Sequence, residues 1–299
     1  MTVLGRRALV AGVLGVGTGE ALSLGGAFDH QRAPPPGARE RFRVSLGEIG
    51  TSGVVHIGHS THVVCVGGRR VLTDPWFSDP AFGALAHAVP PACSPEDLAG
   101  IDAIIVSHDH PDHADLAALD RLPDKRRVTV LVGTRELEAE ARGLGFTNVR
   151  ALAIWESHDL GGAVVHAVPA VHDVPEIGFV VASDAASVYF AGDSAWQEGF
   201  NEIAARFRPT FAILPVDGTR LRGSRHATLN ALEAARAARV LGVRGVMPSH
   251  AESKFTDPFA EHVLTASANA GIELFRRELE RLLPSVACSV LVPGERVPV

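Results

Sequence analysis

A chain of 299 residues, 46% hydrophobic and 21% charged, is long enough for one large domain or two modest ones and too apolar to be a disordered segment. Its formal net charge of −6 excludes the basic face that general nucleic-acid binding needs, so nucleic acid is not an expected partner. Three widely spaced cysteines, Cys65, Cys93 and Cys288, exclude a disulfide framework and a cysteine zinc cluster, and leave the 14 histidines as the unusual feature.

Residues 1–40 differ from the rest of the chain. Arg6-Arg7, the apolar run Ala8–Val16 and the small residues Ser23–Ala27 come in the order of an export signal, and the paired arginine is the mark of the twin-arginine kind. The run is too short and glycine-rich for a membrane span, which needs about 20 apolar residues. An exported, periplasmic or membrane-anchored protein is therefore expected, with membrane association through the N-terminus. A plain N-terminal helix on a cytoplasmic protein is the alternative. Pro34-Pro35-Pro36-Gly37 then reads as a linker into a domain over residues 41–299.

From Phe42 onward strands and helices alternate. Val54–Ile57, His62–Val66 and Arg70–Thr73 are short, β-branched and separated by glycine, which predicts an opening meander. Ala103–Val106 is a continuous apolar run, as expected of a strand buried on both faces. Val128–Val132 is another, followed by a helix over Thr134–Leu144 with glycines at its end. Further strands are predicted at Val164–Val168, Gly178–Val181, Val188–Ala191, Phe211–Leu214 and Val243–Met247. Helices are predicted over Glu202–Phe207, Leu229–Leu241 and Pro258–Leu283. This interleaving implies an α/β protein with helices covering sheet faces.

Directly after the buried strand Ala103–Val106 comes Ser107-His108-Asp109-His110-Pro111-Asp112-His113. In an extended segment alternate residues project the same way, so His108 and His110 can serve one ion. Asp112 and His113 fall on the next turn, within reach of a second. Imidazole and carboxylate donors suit zinc, with manganese and iron as alternatives. His172, Asp193 and His250 also follow apolar strands, where each by itself reads more readily as a loop or turn residue than as a ligand.

Ser107–His113 resembles the H-x-H-x-D-H signature of the metallo-β-lactamase superfamily. His56-Ile57-Gly58-His59-Ser60-Thr61, Leu72–Phe77, Val168–His172, Phe190–Ser194 and Met247–His250 are similar to further family segments, in the family's order. The chain from about Val54 resembles the branch of ascorbate-6-phosphate lactonase and N-acyl-phosphatidylethanolamine phospholipase D. The resemblance implies a four-layer α/β/β/α sandwich and two divalent metal ions. His108, His110 and His172 would hold one ion; Asp112, His113 and His250 would hold the other, with Asp193 bridging. It further implies hydrolysis by a metal-bridging hydroxide that Asp112 and Asp193 orient, with His226 positioning or protonating the leaving group.

His59 and Asp74 are expected behind the ligands, Asp74 as the carboxylate that fixes a ligand imidazole. Arg220, Arg222 and Arg225, just ahead of His226, are candidates to hold a small-molecule or lipid-linked anionic substrate, or else are solvated surface. A phosphodiester or other anionic ester is the expected substrate, a lactone or ester the alternative, and a metal-binding, membrane-associated protein with an idle site the reading from another class. Two departures weaken a phospholipase assignment. His56 stands where the family often has tryptophan, and Asp173-Val174-Pro175-Glu176 follows His172 where an arginine is usual.

Overall fold

The computed structural model of the chain describes residues 30–221, 228–257, 261, 265–266 and 270–299. Two seven-stranded sheets dominate it. The first contains β1 (Gly53–Gly58), β2 (Thr61–Val66), β3 (Arg69–Thr73), β4 (Ala103–Val106), β5 (Thr129–Val132) and β6 (Asn148–Ala151). The second contains β7 (Ser157–Asp159), β8 (Val164–Pro169), β9 (Ile177–Ala182), β10 (Ser187–Phe190), β11 (Phe211–Pro215), β12 (Gly245–Ser249) and β13 (Ala287–Cys288). The last strand, β14 (Arg296–Pro298), returns to β1, so the orders are β14-β1-β2-β3-β4-β5-β6 and β7-β8-β9-β10-β11-β12-β13.

Both sheets share one plan. Antiparallel neighbours come first (β1 to β3, β7 to β10). Parallel neighbours come next (β3 to β6, β10 to β13). The opening meander is where the sequence predicts it. Its β2–β3 turn is Gly67-Gly68, with φ of +57° and +75°, the two-residue hairpin that needs left-handed residues at both positions. The parallel strands require crossovers, and all but that from β3 to β4 carry an α-helix: α2 (Leu116–Arg121), α3 (Arg135–Gly143), α4 (Gly199–Phe207), α5 (Ala231–Leu241) and α6 (Ile272–Leu282). A sixth helix, α1 (Ala38–Glu48), precedes the first sheet.

The layers arise from the period of two along each strand. In β4, Ala103 and Ile105 face the core between the sheets, whereas Ile104 and Val106 face the helices. The inter-sheet core also takes Val64, Leu131, Val165, Phe179, Phe190 and Ile213. The outer face of the first sheet packs on α1, α2 and α3 through Phe42, Leu119 and Leu137; that of the second packs on α4, α5 and α6 through Phe200, Ala234 and Phe275. Each such fully buried apolar side chain is worth about 1.5–3 kcal/mol relative to exposure. The result is the expected α/β/β/α sandwich.

Two local expectations change. Pro258–Leu283 is not one helix, because Thr265–Ala266 is a strand paired with Arg220–Leu221, and α6 starts only after Gly271 at φ +104°. The helix expected at Leu229 starts at Ala231, where Asn230 and Glu233 form a reciprocal capping box. The Thr228 hydroxyl, just ahead of that cap, donates to Asp217 Oδ1 at 2.6 Å. Residues 1–29, with the export-like segment, lie outside the described residues, and none of the described helices is long and apolar enough to cross a membrane.

Candidate metal centre

Strand direction brings the predicted residues together. His59 follows β1, Asp74 follows β3, Ser107–His113 follow β4, His172 follows β8, Asp193 follows β10, Asp217 follows β11 and His250 follows β12. Seven strands from two sheets thus end around one point. The turns there are tight: His59, Asp74 and His250 take φ of +53°, +29° and +57°, and Gly192 takes +61°. Left-handed backbone at non-glycine residues is unfavourable and persists where the surrounding structure enforces it.

Two groups of donors result. His108, His110, His172 and Asp193 form one; His59, Asp112, His113 and His250 form the other; within each, ligand atoms lie within 4.8 Å of one another. Asp193 links them. Its Oδ2 is 3.1 Å from His250 Nε2, 3.2 Å from His113 Nε2 and 4.0 Å from His108 Nε2. Asp112 Oδ2 is 3.6 Å from His250 Nε2 and 3.8 Å from the Nε2 atoms of both His59 and His113. His59 therefore stands with its ring among the donors, not behind them.

The outer nitrogens are tied by carboxylates. His113 Nδ1 is hydrogen-bonded to Asp74 Oδ2 at 2.7 Å. Asp74 also accepts Ser107 N–H at 2.7 Å and Ser107 Oγ–H at 2.6 Å, which leaves Ser107 Oγ to accept His108 Nδ1–H at 2.8 Å. His250 Nδ1 lies 3.0 Å from Asp217 Oδ2. Behind His108, Glu176 Oε1 lies 3.3 Å from Nδ1 and accepts the Asp193 N–H at 2.7 Å. The hydrogen bonds at His113 and His108 hold Nδ1 protonated and turn the Nε2 lone pair inward, the tautomer a metal requires. The inward atoms His108 Nε2, His113 Nε2, His250 Nε2, Asp112 Oδ1 and Asp193 Oδ1 are buried with no hydrogen-bond partner among the described residues. Buried polar atoms left so cost about 1–3 kcal/mol each, and one divalent ion per group would satisfy them.

The electrostatics agree. Burial opposes charge on Asp112 and Asp193, but His113 and His250 outweigh it and hold both carboxyls well below the usual range. Burial likewise opposes charge on His113 and His250, yet Asp193, with Asp112 and Asp217, lifts both imidazoles well above 6.5. Protons thus stand where the carboxylates demand positive charge. Burial, then His113 and His110, bring His108 down to about 3, and burial brings His172 down to about 4. Burial pushes the Glu176 carboxyl up to about 7.

The fold therefore brings the side chains of all seven proposed ligands together, and places Asp74 behind His113. Arg220 is exposed, and Arg222, Arg225 and His226 lie outside the described residues. Trp76 is fully buried, edge-on to His59 and stacked on His87. Sequence reasoning missed Asp217, Glu176 and Glu252, whose Oε2 accepts the His59 N–H at 3.0 Å. Asp217 carried the same signal as Asp74 and Asp193, an acid just past an apolar strand. Glu176 and Glu252 carried none.

Comparison with known proteins finds likenesses to metal-dependent hydrolases. Residues 69–251 match the family model described as beta-lactamase superfamily domain. A UPF0173 metal-dependent hydrolase of Myxococcus xanthus is 30% identical over 253 residues, covering 80% of this chain and 84% of that protein. Igni18, a metallo hydrolase from Ignicoccus hospitalis, superposes with a TM-score of 0.63 at 23% identity, over 83% of this chain and 97% of Igni18. An isothiocyanate hydrolase from Delia radicum gut bacteria superposes with a TM-score of 0.65 at 22% identity, over 83% of this chain and 98% of that one.

Proposed function

The chain belongs to the UPF0173 metal-dependent hydrolases of the beta-lactamase superfamily, and from that premise we propose that it hydrolyses an anionic ester, a phosphodiester first, at a centre of two divalent ions, zinc by preference. The observation that carries this reading is Asp193, whose carboxylate stands between the two donor groups. His108, His110 and His172 would hold one ion, and Asp112, His113 and His250, with His59 alongside, the other. Bound ions supply an activated water and positive charge at the scissile bond. The protein's own part is orientation: Asp112 and Asp193 accept hydrogen bonds from the attacking water, and Asp74, Asp217 and Glu176 keep the imidazoles in register. Support for an anionic substrate comes from the likeness to lactonase and phospholipase sequences, with Arg220 at the foot of the segment leading to His226.

Lactone or neutral-ester opening is the second reading, favoured by the rim at His110, where the neighbouring ring is the aromatic Phe82. Export through Arg6-Arg7 would place the activity outside the cytoplasm. Turnover of bis-p-nitrophenyl phosphate, a neutral lactone and nitrocefin by zinc- or manganese-loaded protein separates these readings. Phosphodiester cleavage above the others supports the first reading, and lactone cleavage the second. Efficient nitrocefin hydrolysis, or no turnover of any probe, overturns both.

A further inference from the structure

Phe82 sits in a conformation its side chain disfavours. It has φ +51° and is followed by Gly83 at +74°, a mirror-image turn that suits asparagine and glycine rather than a bulky aromatic. The turn is closed on itself, because the N–H groups of Ala84 and Leu85 both donate to the Ala81 carbonyl, at 3.1 and 2.8 Å. It is also fastened to the segment just past His250. Leu85–His87 pairs antiparallel with Ser253–Phe255, and the Thr256 N–H and hydroxyl donate to the Ala84 carbonyl at 2.8 and 3.2 Å.

What this arrangement secures is a place for one ring. Phe82 lies 5.3 Å from the His110 ring at 76°, and is half-buried, packed against the cluster of Trp76, Ala81 and Leu85. His110 and His172 are the half-buried imidazoles of the constellation, whereas His108 and His113 are fully buried, and Pro111 and Asp173 beside the first two are less enclosed. The centre therefore opens on the side where Phe82 stands. A core position does not need a strained aromatic, and enforced backbone of this kind clusters at ligand-binding sites.

We propose that Phe82 forms an apolar subsite at the His110 edge of the centre, and that it receives an alkyl, acyl or aryl group attached next to the bond that is cleaved. The inference deepens the hydrolase reading and rests on it for the word substrate. The substrate class is thereby narrowed to esters with a polar head, drawn to the donor groups, and an apolar substituent sheltered by the ring. Phe82 acts by contact with that substituent, so its loss changes selectivity and leaves the donor groups intact.

The test compares octyl phosphate with ethyl phosphate as ligands of zinc-loaded protein by titration calorimetry, for the parent, Phe82→Ala and Phe82→Leu. The parent should prefer octyl phosphate by at least about tenfold, the effect of sheltering two methylene groups. Phe82→Ala should lose that preference with ethyl phosphate affinity and zinc content unchanged, and Phe82→Leu should keep most of it. An undiminished preference in Phe82→Ala, or no preference in the parent, overturns the subsite. Should the parent hydrolyse no ester while the Phe82-dependent preference holds, the hydrolase reading falls and the apolar subsite stands. If Phe82→Ala loses affinity for both phosphates together with its zinc, the residue is structural and the proposal fails.

Discussion

Asp193 is the side chain on which the two donor groups depend, because its carboxylate approaches inward nitrogens from both. Loss of a residue behind a metal ligand costs about 10–100-fold in affinity or activity, so loss of a bridge should cost more. Asp193→Ala should lower metal content below that of the parent and abolish most hydrolysis; elemental analysis showing parental stoichiometry would refute the bridge. The titrating groups make a second prediction. His59, His62, His108 and His172 have pKa values depressed below 6.5 in the folded chain, chiefly by burial. The unfolded chain therefore binds more protons as the pH falls below about 6.5, and stability drops. His113 and His250 are raised, so their contribution is complete below about 6.5 and is lost as the pH rises through their folded values. Metal-free protein should be most stable near pH 6.5, with the acid side steeper because more imidazoles are depressed, His166 among them, than are raised. Each proton changes stability by about 1.4 kcal/mol per pH unit. Metal replaces the protons on His113 and His250 and should remove the alkaline decline. Denaturant titrations across pH with chelator and with zinc measure both limbs.

At the scale of elements, the turns past the strand ends set the site. Gly192 joins β10 to Asp193 at φ +61°, and a Cβ there would collide with Glu176 Oε1 and come within 2.9 Å of Ser107 Cβ. Gly192→Ala thus imposes a left-handed alanine, about 1–2 kcal/mol, and displaces two groups that hold His108. Its melting temperature and its metal content should both fall. By contrast, Asn230→Ala removes the side-chain cap of α5 but leaves the backbone bridge between residues 230 and 217, and should cost about 1 kcal/mol while metal stoichiometry stays at the parental value. A Gly192→Ala protein that melts lower but keeps its full metal complement would show that the turn serves the fold alone.

On the scale of the whole molecule, the two similar sheets meet so that strands from both end at the centre. Metal held across that junction stabilises only the folded arrangement, so saturating metal at 100 times its dissociation constant should add about 2.7 kcal/mol per site to unfolding. The first described residues, His30–Gln31, pair with Ser78–Asp79, and Arg32 lies 3.5 Å from Asp79. A chain beginning at residue 30 should keep the fold and the metal stoichiometry of the full chain, and differ from it in cell fractionation. Identical fractionation, with no processing of the longer form, would count against export.

The sequence by itself determined the α/β class, the opening meander, the buried strand Ala103–Val106 and the donor-rich run after it, because apolar periodicity and turn chemistry are local. The ordered motifs added the candidate ligands as a set. Tertiary structure decided the rest. Thr265–Ala266 leaves its expected helix because a partner strand 45 residues earlier, Arg220–Leu221, takes its backbone groups. His59 joins the donors because Glu252, 193 residues away, holds its backbone N–H. Glu176 stood in the stretch Asp173–Glu176 read as a departure from a family pattern, yet it lies beneath His108 and Asp193. A buried carboxyl on a loop leaves no periodic mark, and its role exists only once two sheets bring distant strand ends within hydrogen-bond reach.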